Sequence, residues 1–226
     1  MYRDRACLPR PALPPGISTA EPLPYNRGMR IIGGEDAGRR LKGFRGRDIR
    51  PTSDRVREAI FSILGERVRD ARVLDLFAGT GALGLEALSR GAREAVFVDS
   101  SPLAVSLIRQ NLERLGRLEQ ACVIRRPAHQ ALRSDLEGAF HLIFIDPPYR
   151  MGMKYLQGIY LSILEKGLLE PGGLMVVEGR ASEDALPPVA QMVHEARKVY
   201  GDTAVDFLRR EVGGEKEGEW PRGTAG

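Results

Sequence analysis

The most specific chemical pattern in the chain is a tetrapeptide that follows an apolar run at residues 142–145. It consists of Asp146, Pro147, Pro148 and Tyr149. Because proline has no amide N–H, this stretch presents a carboxylate and carbonyl acceptors on a stiff backbone. Such acceptors can hold both N–H groups of a substrate amine and aim its nitrogen at an electrophilic methyl group, while the tyrosine ring can stack on a planar base. We therefore predict that these four residues are catalytic; a plain Pro-Pro turn at a strand end is the alternative.

A glycine-rich loop provides a second pattern. Gly79, Gly81 and Gly84 follow another apolar run in the order GxGxxG, and Asp99 lies 20 residues after the first of them. Glycines between a strand and a helix let the backbone approach a ligand, and a carboxylate at the end of the next strand can accept both hydroxyls of a ribose. The pattern favours a nucleoside-containing cofactor, and an ordinary tight turn in an α/β fold is the competing interpretation.

Asp75 distinguishes between two classes of nucleoside cofactor. It lies in the strand-like run that leads into the glycine loop. S-adenosylmethionine carries an ammonium and a sulfonium group and no phosphate, so a nearby carboxylate attracts it, whereas the same carboxylate would repel the pyrophosphate of NAD. Asp75 therefore favours a methyl donor, although a NAD-dependent oxidoreductase is the literal interpretation of the glycines.

The elements that must position these residues alternate along the chain. Strand-like apolar runs are predicted at residues 73–77, 95–98, 121–124, 142–145 and 174–177. Helical patterns separate them at residues 82–90, 102–115, 128–137 and 155–166. This alternation predicts an α/β fold with a parallel sheet covered on both faces. A last pair of runs, near 198–200 and 204–210, is joined by Gly-Asp and predicts a closing hairpin.

The ends of the chain differ from this middle part. Residues 1–28 hold six of the fifteen prolines and show no periodicity, so we expect a disordered or non-native extension and a native start at Met29. Residues 29–50 form a basic N-terminal arm, with a short strand at its start. The α/β domain then occupies residues 51–210, and residues 211–226 are expected to be a flexible tail.

Positive charge is concentrated near the N-terminus. Residues 27–57 contain ten Lys or Arg and four Asp or Glu, which gives this segment a net charge of +6. The whole chain carries +4, so the remainder sums to about −2. A basic segment on a nearly neutral protein favours a polyanionic partner such as nucleic acid, and a solvated Arg-rich surface is the alternative.

Several classes of protein are excluded or disfavoured. No apolar run is long enough for a transmembrane helix, and the N-terminus has no apolar segment of a secretory signal. Two cysteines, Cys7 and Cys122, do not make a disulfide framework, and we predict no metal site. We place His129 at a helix start, His141 before a strand and His194 near a late helix, each without a catalytic role. These features favour the cytoplasm, with no membrane partner.

Taken together, the motifs resemble one known family. The matching segments are residues 29–34, 50–58, 74–84, 146–149 and 198–203, with the sequences MRIIGG, RPTSDRVRE, LDLFAGTGALG, DPPY and KVYGDT. They are similar to those of the RsmD family, class I S-adenosylmethionine-dependent methyltransferases, and the resemblance covers residues 29–210 in order. It implies a Rossmann-like fold with a seven-stranded, mostly parallel sheet whose last strand is antiparallel. It also implies methylation of the exocyclic N2 of one guanine in 16S rRNA, within the small ribosomal subunit or its assembly intermediate.

The resemblance also implies roles for individual residues. The donor pocket would be formed by Asp75, Phe77, Gly79 and Gly81, with Asp99 on the ribose and Ser100 and Pro102 at the adenine. Asp146 and the Pro147 carbonyl would orient the guanine amine, and Tyr149 would stack on the base. The candidate RNA-binding residues are Arg39, Arg40, Lys42, Arg50 and Arg55. One departure is Pro127, which occupies the place where many class I enzymes have an acid for the adenine amine, so the adenine contact stays unassigned.

Other functions share parts of this pattern. The Asp-Pro-Pro-Tyr motif also serves adenine-N6 methylation of DNA or RNA and, in related forms, methylation of a protein glutamine. A non-catalytic RNA-binding assembly factor is an alternative from another class, although the intact acids and glycines argue against it. We expect a monomer that uses S-adenosylmethionine without a metal.

Overall fold

The computed structural model describes residues 25–44, 53–148, 151–183 and 189–212. Two strands, β1 (Tyr25–Arg30) and β2 (Arg40–Lys42), form a small antiparallel N-terminal hairpin. The main sheet contains β3 (Arg72–Asp75), β4 (Glu94–Asp99), β5 (Ala121–Arg125), β6 (Phe140–Ile145), β7 (Leu169–Arg180), β8 (Met192–Tyr200) and β9 (Thr203–Arg210). The described residues also contain five α-helices: α1 (Asp54–Leu64), α2 (Ala82–Ser89), α3 (Pro102–Leu115), α4 (Ala128–Ser134) and α5 (Met153–Glu165).

The main sheet has the strand order β5-β4-β3-β6-β7-β9-β8. Its first five strands in this order are parallel, whereas β9 is antiparallel to β7 and to β8. This architecture confirms the predicted Rossmann-like, seven-stranded α/β fold with a C-terminal antiparallel hairpin. The direction of winding reverses between β3 and β6, and ligands of such sheets bind outside the carboxyl ends of the strands at this point.

The boundaries of the C-terminal strands differ from the prediction. β7 extends well beyond residues 174–177 in both directions, and β8 begins at Met192 rather than at 198. The expectation that His194 lies near a late helix was wrong, because it belongs to β8 and stands opposite Leu208 of β9. Backbone pairing with β9 outweighs the helix propensity of the Glu, Ala and Arg residues that follow His194.

The N-terminal hairpin also begins earlier than expected. β1 starts at Tyr25, within the segment that the proline content predicts to be disordered, and its ends stand opposite Lys42 and Arg40 of β2. Pairing with β2 thus orders backbone that the composition alone does not. The rest of the N-terminal extension and the C-terminal tail beyond residue 212 lie outside the described residues, so these two expectations stay predictions.

Apolar clusters cover both faces of the main sheet. On one face, α1, α2, α3 and the N-terminal hairpin pack together, and the Phe61 ring of α1 lies 5.7 Å from the Phe144 ring of β6. On the other face, α4 and α5 pack on the sheet through residues such as Tyr160. Since Met29 and Ile31 are buried in the first cluster, the hairpin is part of the core rather than a loose appendage.

A buried carboxylate attaches the N-terminal hairpin to the domain. Glu86 of α2 is fully buried, and its two oxygens accept the amide N–H groups of Ile32 and Gly33, each at 2.8 Å. Its charge is balanced by Arg90 Nε at 2.8 Å and by the fully buried Arg57 of α1, whose Nε lies 3.6 Å away. One acid therefore connects the hairpin, α1 and α2.

We expect Glu86→Ala to destabilise the protein by about 3–5 kcal/mol, because it removes the fully buried counter-charge of Arg57 and the acceptor of the Ile32 and Gly33 amides. The other acid paired with Arg57, Asp54 at 2.9 Å, is partly exposed and stays in place. Glu66→Ala is the matched control, since Glu66 pairs with Arg69 at 3.7 Å on the exposed surface and should cost less than about 0.5 kcal/mol. Urea unfolding followed by circular dichroism measures both. Similar midpoints for the two variants would show that Glu86 does not hold the hairpin in place.

Candidate active site

Three carboxylates meet at the carboxyl edge of the main sheet. Asp75 ends β3, Asp99 ends β4 and Asp146 directly follows β6. Since β3 lies between β4 and β6, the parallel strands bring these ends together at the reversal point of the sheet. Residues predicted from two separate motifs thus share one site.

The glycine loop crosses above β3 in a conformation that requires glycine. Gly79 and Gly81 have φ angles of +53° and +79°, in the left-handed region that other residues avoid. A Cβ on Gly81 would also lie 3.1 Å from Ile108 of α3, and one on Gly84 would lie 2.3 Å from the Phe97 ring of β4. The loop is therefore pressed against α3 and β4, and its backbone rather than its side chains faces a ligand.

Asp99 holds this loop from the neighbouring strand. Its Oδ2 accepts the Gly79 amide N–H at 2.8 Å, and its Oδ1 accepts the Ser101 amide N–H at 2.8 Å. The carboxylate is half-buried, and each oxygen keeps lone-pair capacity for a further donor such as a ribose hydroxyl. Ser100 and Pro102 follow at the start of α3, both exposed, so they can border a ligand that Asp99 holds.

Asp75 is buried beneath the glycine loop. One of its oxygens accepts the amide N–H of Gly84, in the first turn of α2, at 3.0 Å. Burial raises the pKa of Asp75 from 3.8 to about 7, against the lowering effect of the Gly84 bond and with added repulsion from Asp146 and Asp99. Burial thus favours the neutral carboxyl group, and a cation nearby would favour its charged form. Asp75 thus supports the loop in addition to its predicted place in the donor pocket.

The catalytic tetrapeptide begins at the end of β6. Asp146 is half-buried, Pro147 is buried and Pro148 is exposed. The Pro148 carbonyl accepts the amide N–H of Met151 at 2.9 Å, two residues before α5 begins. Tyr149 lies outside the described residues, so its stacking role stays a prediction. Phe77, half-buried at the entrance to the glycine loop, lies at the same edge of the sheet.

The candidate RNA-binding residues differ in how freely they can contact a phosphate. Arg39 is engaged within the protein: it donates to Asp36 Oδ1 at 2.7 Å and to backbone carbonyls at the end of α3. The Lys42 ammonium donates to Gln110 Oε1 at 2.8 Å. Arg40 and Arg55 are both exposed, at β2 and in the first turn of α1. Arg50 lies outside the described residues.

Sequence reasoning missed two residues that shape the site from behind. Glu86 and Asn111 are polar but fully buried, and both bond to the N-terminal hairpin. Each is a polar residue on the apolar face of a helix, and the sequence alone shows that such a position is unusual. Their partners, however, lie 54 and 69 residues away in the chain, and local patterns do not reveal such pairings.

The described residues contain no group of three or more His, Cys, Asp or Glu side chains arranged to hold a metal ion. None of the helices in the described part of the chain is long and apolar enough to cross a membrane. The expectations of a metal-free reaction and of a monomer stay predictions.

Comparison with known proteins decides the family. The model of the family described as "Conserved hypothetical protein 95" matches residues 29–209. The chain belongs to this family, that of the RsmD methyltransferases.

Individual relatives agree with the assignment. The chain is 37% identical over 193 residues to ribosomal RNA small subunit methyltransferase D of Escherichia coli, covering 84% of this chain and 94% of the relative. It is 38% identical over 184 residues to a candidate rRNA methyltransferase of Bacillus subtilis, YlbH, covering 80% and 99%. The solved structure of yhhF from Escherichia coli, named as a candidate methyltransferase, is 37% identical with a TM-score of 0.73 and coverages of 81% and 98%. The resemblance to the RsmD family is thus confirmed.

For this RsmD-family protein we expect the affinity for S-adenosylmethionine to increase as the pH rises through about 7. A cationic donor favours ionised Asp75, so below that pH binding must first remove a proton, and affinity falls by up to about tenfold per pH unit. Asp75→Asn should bind more weakly and lose this pH dependence. Calorimetric titration between pH 5.5 and 7.5 measures both. The same slope in wild type and variant would show that another group is responsible.

Proposed function

We propose that this protein transfers the methyl group of S-adenosylmethionine to the exocyclic N2 amine of a guanine in 16S rRNA of the small ribosomal subunit. The observation that carries the proposal is the meeting of Asp75, Asp99 and Asp146 at one sheet edge. This arrangement supports a site for a cationic nucleoside beside a site for an amine. The names of the relatives, rRNA methyltransferases of the small subunit among them, support the choice of substrate.

In this proposal the methyl donor lies over the glycine loop. Asp99 accepts the ribose hydroxyls, Ser100 and Pro102 border the adenine, and the backbone of the loop faces the methionine part. Asp75 beneath the loop favours the positive charge of the donor. Pro127 is the residue before α4, so the adenine amine has to be recognised by backbone groups or by another side chain.

The Asp146–Pro147 segment then prepares the acceptor. The lone pair of a guanine amine is delocalised into the ring, and acceptors for both of its N–H groups can hold the nitrogen so that this lone pair faces the methyl group. Attack in line with the C–S bond forms the N–C bond and breaks the C–S bond, leaving a neutral thioether. The nitrogen loses one proton, which Asp146 or water accepts.

The target base must leave a stacked helix to reach this site. A guanine in a loop, or one flipped out of a helix, meets that condition, and Tyr149 would stack on it. The basic arm with Arg39, Arg40, Lys42 and Arg50, together with Arg55, would contact neighbouring phosphates. The proposal includes a monomeric, cytoplasmic enzyme that acts on the subunit or its assembly intermediate without a metal.

The test is methyl transfer from labelled S-adenosylmethionine to under-methylated small subunits and to their deproteinised RNA, followed by nucleoside analysis. We expect label in N2-methylguanosine. Asp146→Ala should reduce turnover at least about 100-fold while the dissociation constant of the donor changes little, because Asp146 acts on the amine. Asp135→Ala is the control, since Asp135 lies after α4 and pairs with Arg126 at 3.4 Å. Label in N6-methyladenosine, or an active Asp146 variant, would contradict the proposal.

We also expect charge reversal at Arg40 and Arg55 to weaken RNA binding and to reduce its salt dependence. These two are chosen because the structure leaves both exposed, whereas Arg39 is bonded within the protein. Each lost phosphate contact lowers the slope of log affinity against log salt by about one. Arg93→Glu is the matched control: Arg93 is equally exposed but precedes β4, at the opposite edge of the sheet. Equal effects of all three reversals would show that only overall charge matters.

A further inference from the structure

Asn111 of α3 is buried, and every bond of its carboxamide described in the structure is made to backbone. Its Oδ1 accepts the Lys42 amide N–H at 2.8 Å, and its Nδ2 donates to the Lys42 carbonyl at 3.1 Å and to the Thr80 carbonyl at 3.3 Å. Asn111 thereby fixes the N–H and the carbonyl of Lys42 in the basic arm. Its Nδ2, which bonds to the Lys42 carbonyl, also bonds to the Thr80 carbonyl in the glycine loop.

Thr80 is a sensitive position within that loop. It lies between Gly79 and Gly81, both in the left-handed conformation, so the orientation of its peptide groups decides which way the loop amides point. The Thr80 hydroxyl also contacts the Met29 sulfur at 3.6 Å, which adds a second contact between the hairpin and the loop. On the far side, Asp99 holds the Gly79 amide N–H.

The other bonds between the hairpin and the domain serve attachment and do not touch the loop. Glu86 and Ser89 of α2 hold residues 32–36, and Arg117 bonds to Asp36 at 3.0 Å. Gln110, next to Asn111, bonds to the Lys42 ammonium rather than to its backbone. Asn111 therefore differs from its neighbours, because it alone among these side chains contacts both arm and loop.

We propose that Asn111 is a positioning residue that couples the RNA-binding arm to the methyl-donor loop, so that binding at either site tightens binding at the other. An RNA that fixes the backbone of β2 also fixes the Thr80 carbonyl through Asn111, and a donor that orders the loop orders Lys42 in return. Linkage requires the effect to be equal in both directions. This inference rests on the proposed function for the nature of the RNA.

The coupling is measured by titrating S-adenosylhomocysteine calorimetrically, without and with saturating deproteinised small-subunit rRNA. We expect the RNA to tighten binding at least about fivefold in the wild type. Asn111→Leu removes all three bonds, and Asn111→Asp removes both donor bonds while keeping the acceptor for the Lys42 N–H, so in both the factor should fall to about one. Gln110→Ala loses the Lys42 ammonium bond and a bond to Ser106 within α3, but no bond to the backbone of arm or loop, so it should keep the wild-type factor. A factor of one in the wild type, or an unchanged factor in the Asn111 variants, would overturn the proposal.

A measurement on the wild type alone does not depend on folding of the variants. The Lys42 amide N–H donates to Asn111, and the Gly33 amide N–H donates to Glu86. Addition of S-adenosylhomocysteine should slow hydrogen exchange at Lys42 and leave the exchange rate at Gly33 unchanged. Equal changes at both amides, or none at Lys42, would contradict the coupling. This experiment contains no RNA, so a failure of the proposed rRNA substrate, seen as missing N2-methylguanosine, is distinguished from a failure of the link through Asn111.

Discussion

Parallel strands end at a common edge, and in this chain that edge gathers three carboxylates whose repulsion must be relieved. Asp99 is stabilised by two amide N–H groups, and Asp146 is half-exposed to solvent. Ionisation is therefore most unfavourable for Asp75, the most buried of the three. Burial is the main cause that raises its pKa to about 7, and repulsion from Asp146 and Asp99 adds to it. A site built in this way is unfavourable for a phosphate and favourable for a positively charged ligand. In the proposed function, the acids on adjacent strands favour a cationic cofactor, which the glycine loop alone does not specify.

The N-terminal hairpin is fixed beside the glycine loop, where the Thr80 hydroxyl contacts the Met29 sulfur. A basic arm that hung loosely could bring RNA near the domain, but it could not set the distance between a base and the methyl donor. Here Glu86 fixes the hairpin to α2. The buried Asp36 forms ion pairs with Arg39 of the hairpin and with Arg117, which follows the end of α3. In the proposed function, the positive charge that attracts RNA and the rigid attachment next to the glycine loop therefore belong to the same small element.

The sequence was informative where chemistry or periodicity is local. The glycine loop, the three acids and the helix that begins at Pro102 follow from short patterns, and the structure has α3 with its predicted bounds. The edge strand at His194 was mistaken because its register depends on β9, and the start of β1 at Tyr25 depends on β2. Asn111 and Glu86 were overlooked for the same reason. Both residues form hydrogen bonds with partners more than 50 residues away in the chain, and only tertiary packing brings those partners together.

The docking of the hairpin has a consequence for how the chain acquires its structure during synthesis. Its anchors lie far downstream: Ile32 needs Glu86, Lys42 needs Asn111 and Asp36 needs Arg117. At a translation rate of about 5–20 residues per second, the first-made element waits several seconds for α2 and α3 to emerge. The apolar side chains of Met29 and Ile31 are uncovered in the meantime. The N-terminal segment is therefore synthesised before its partners, and it can dock fully only after Arg117 has emerged.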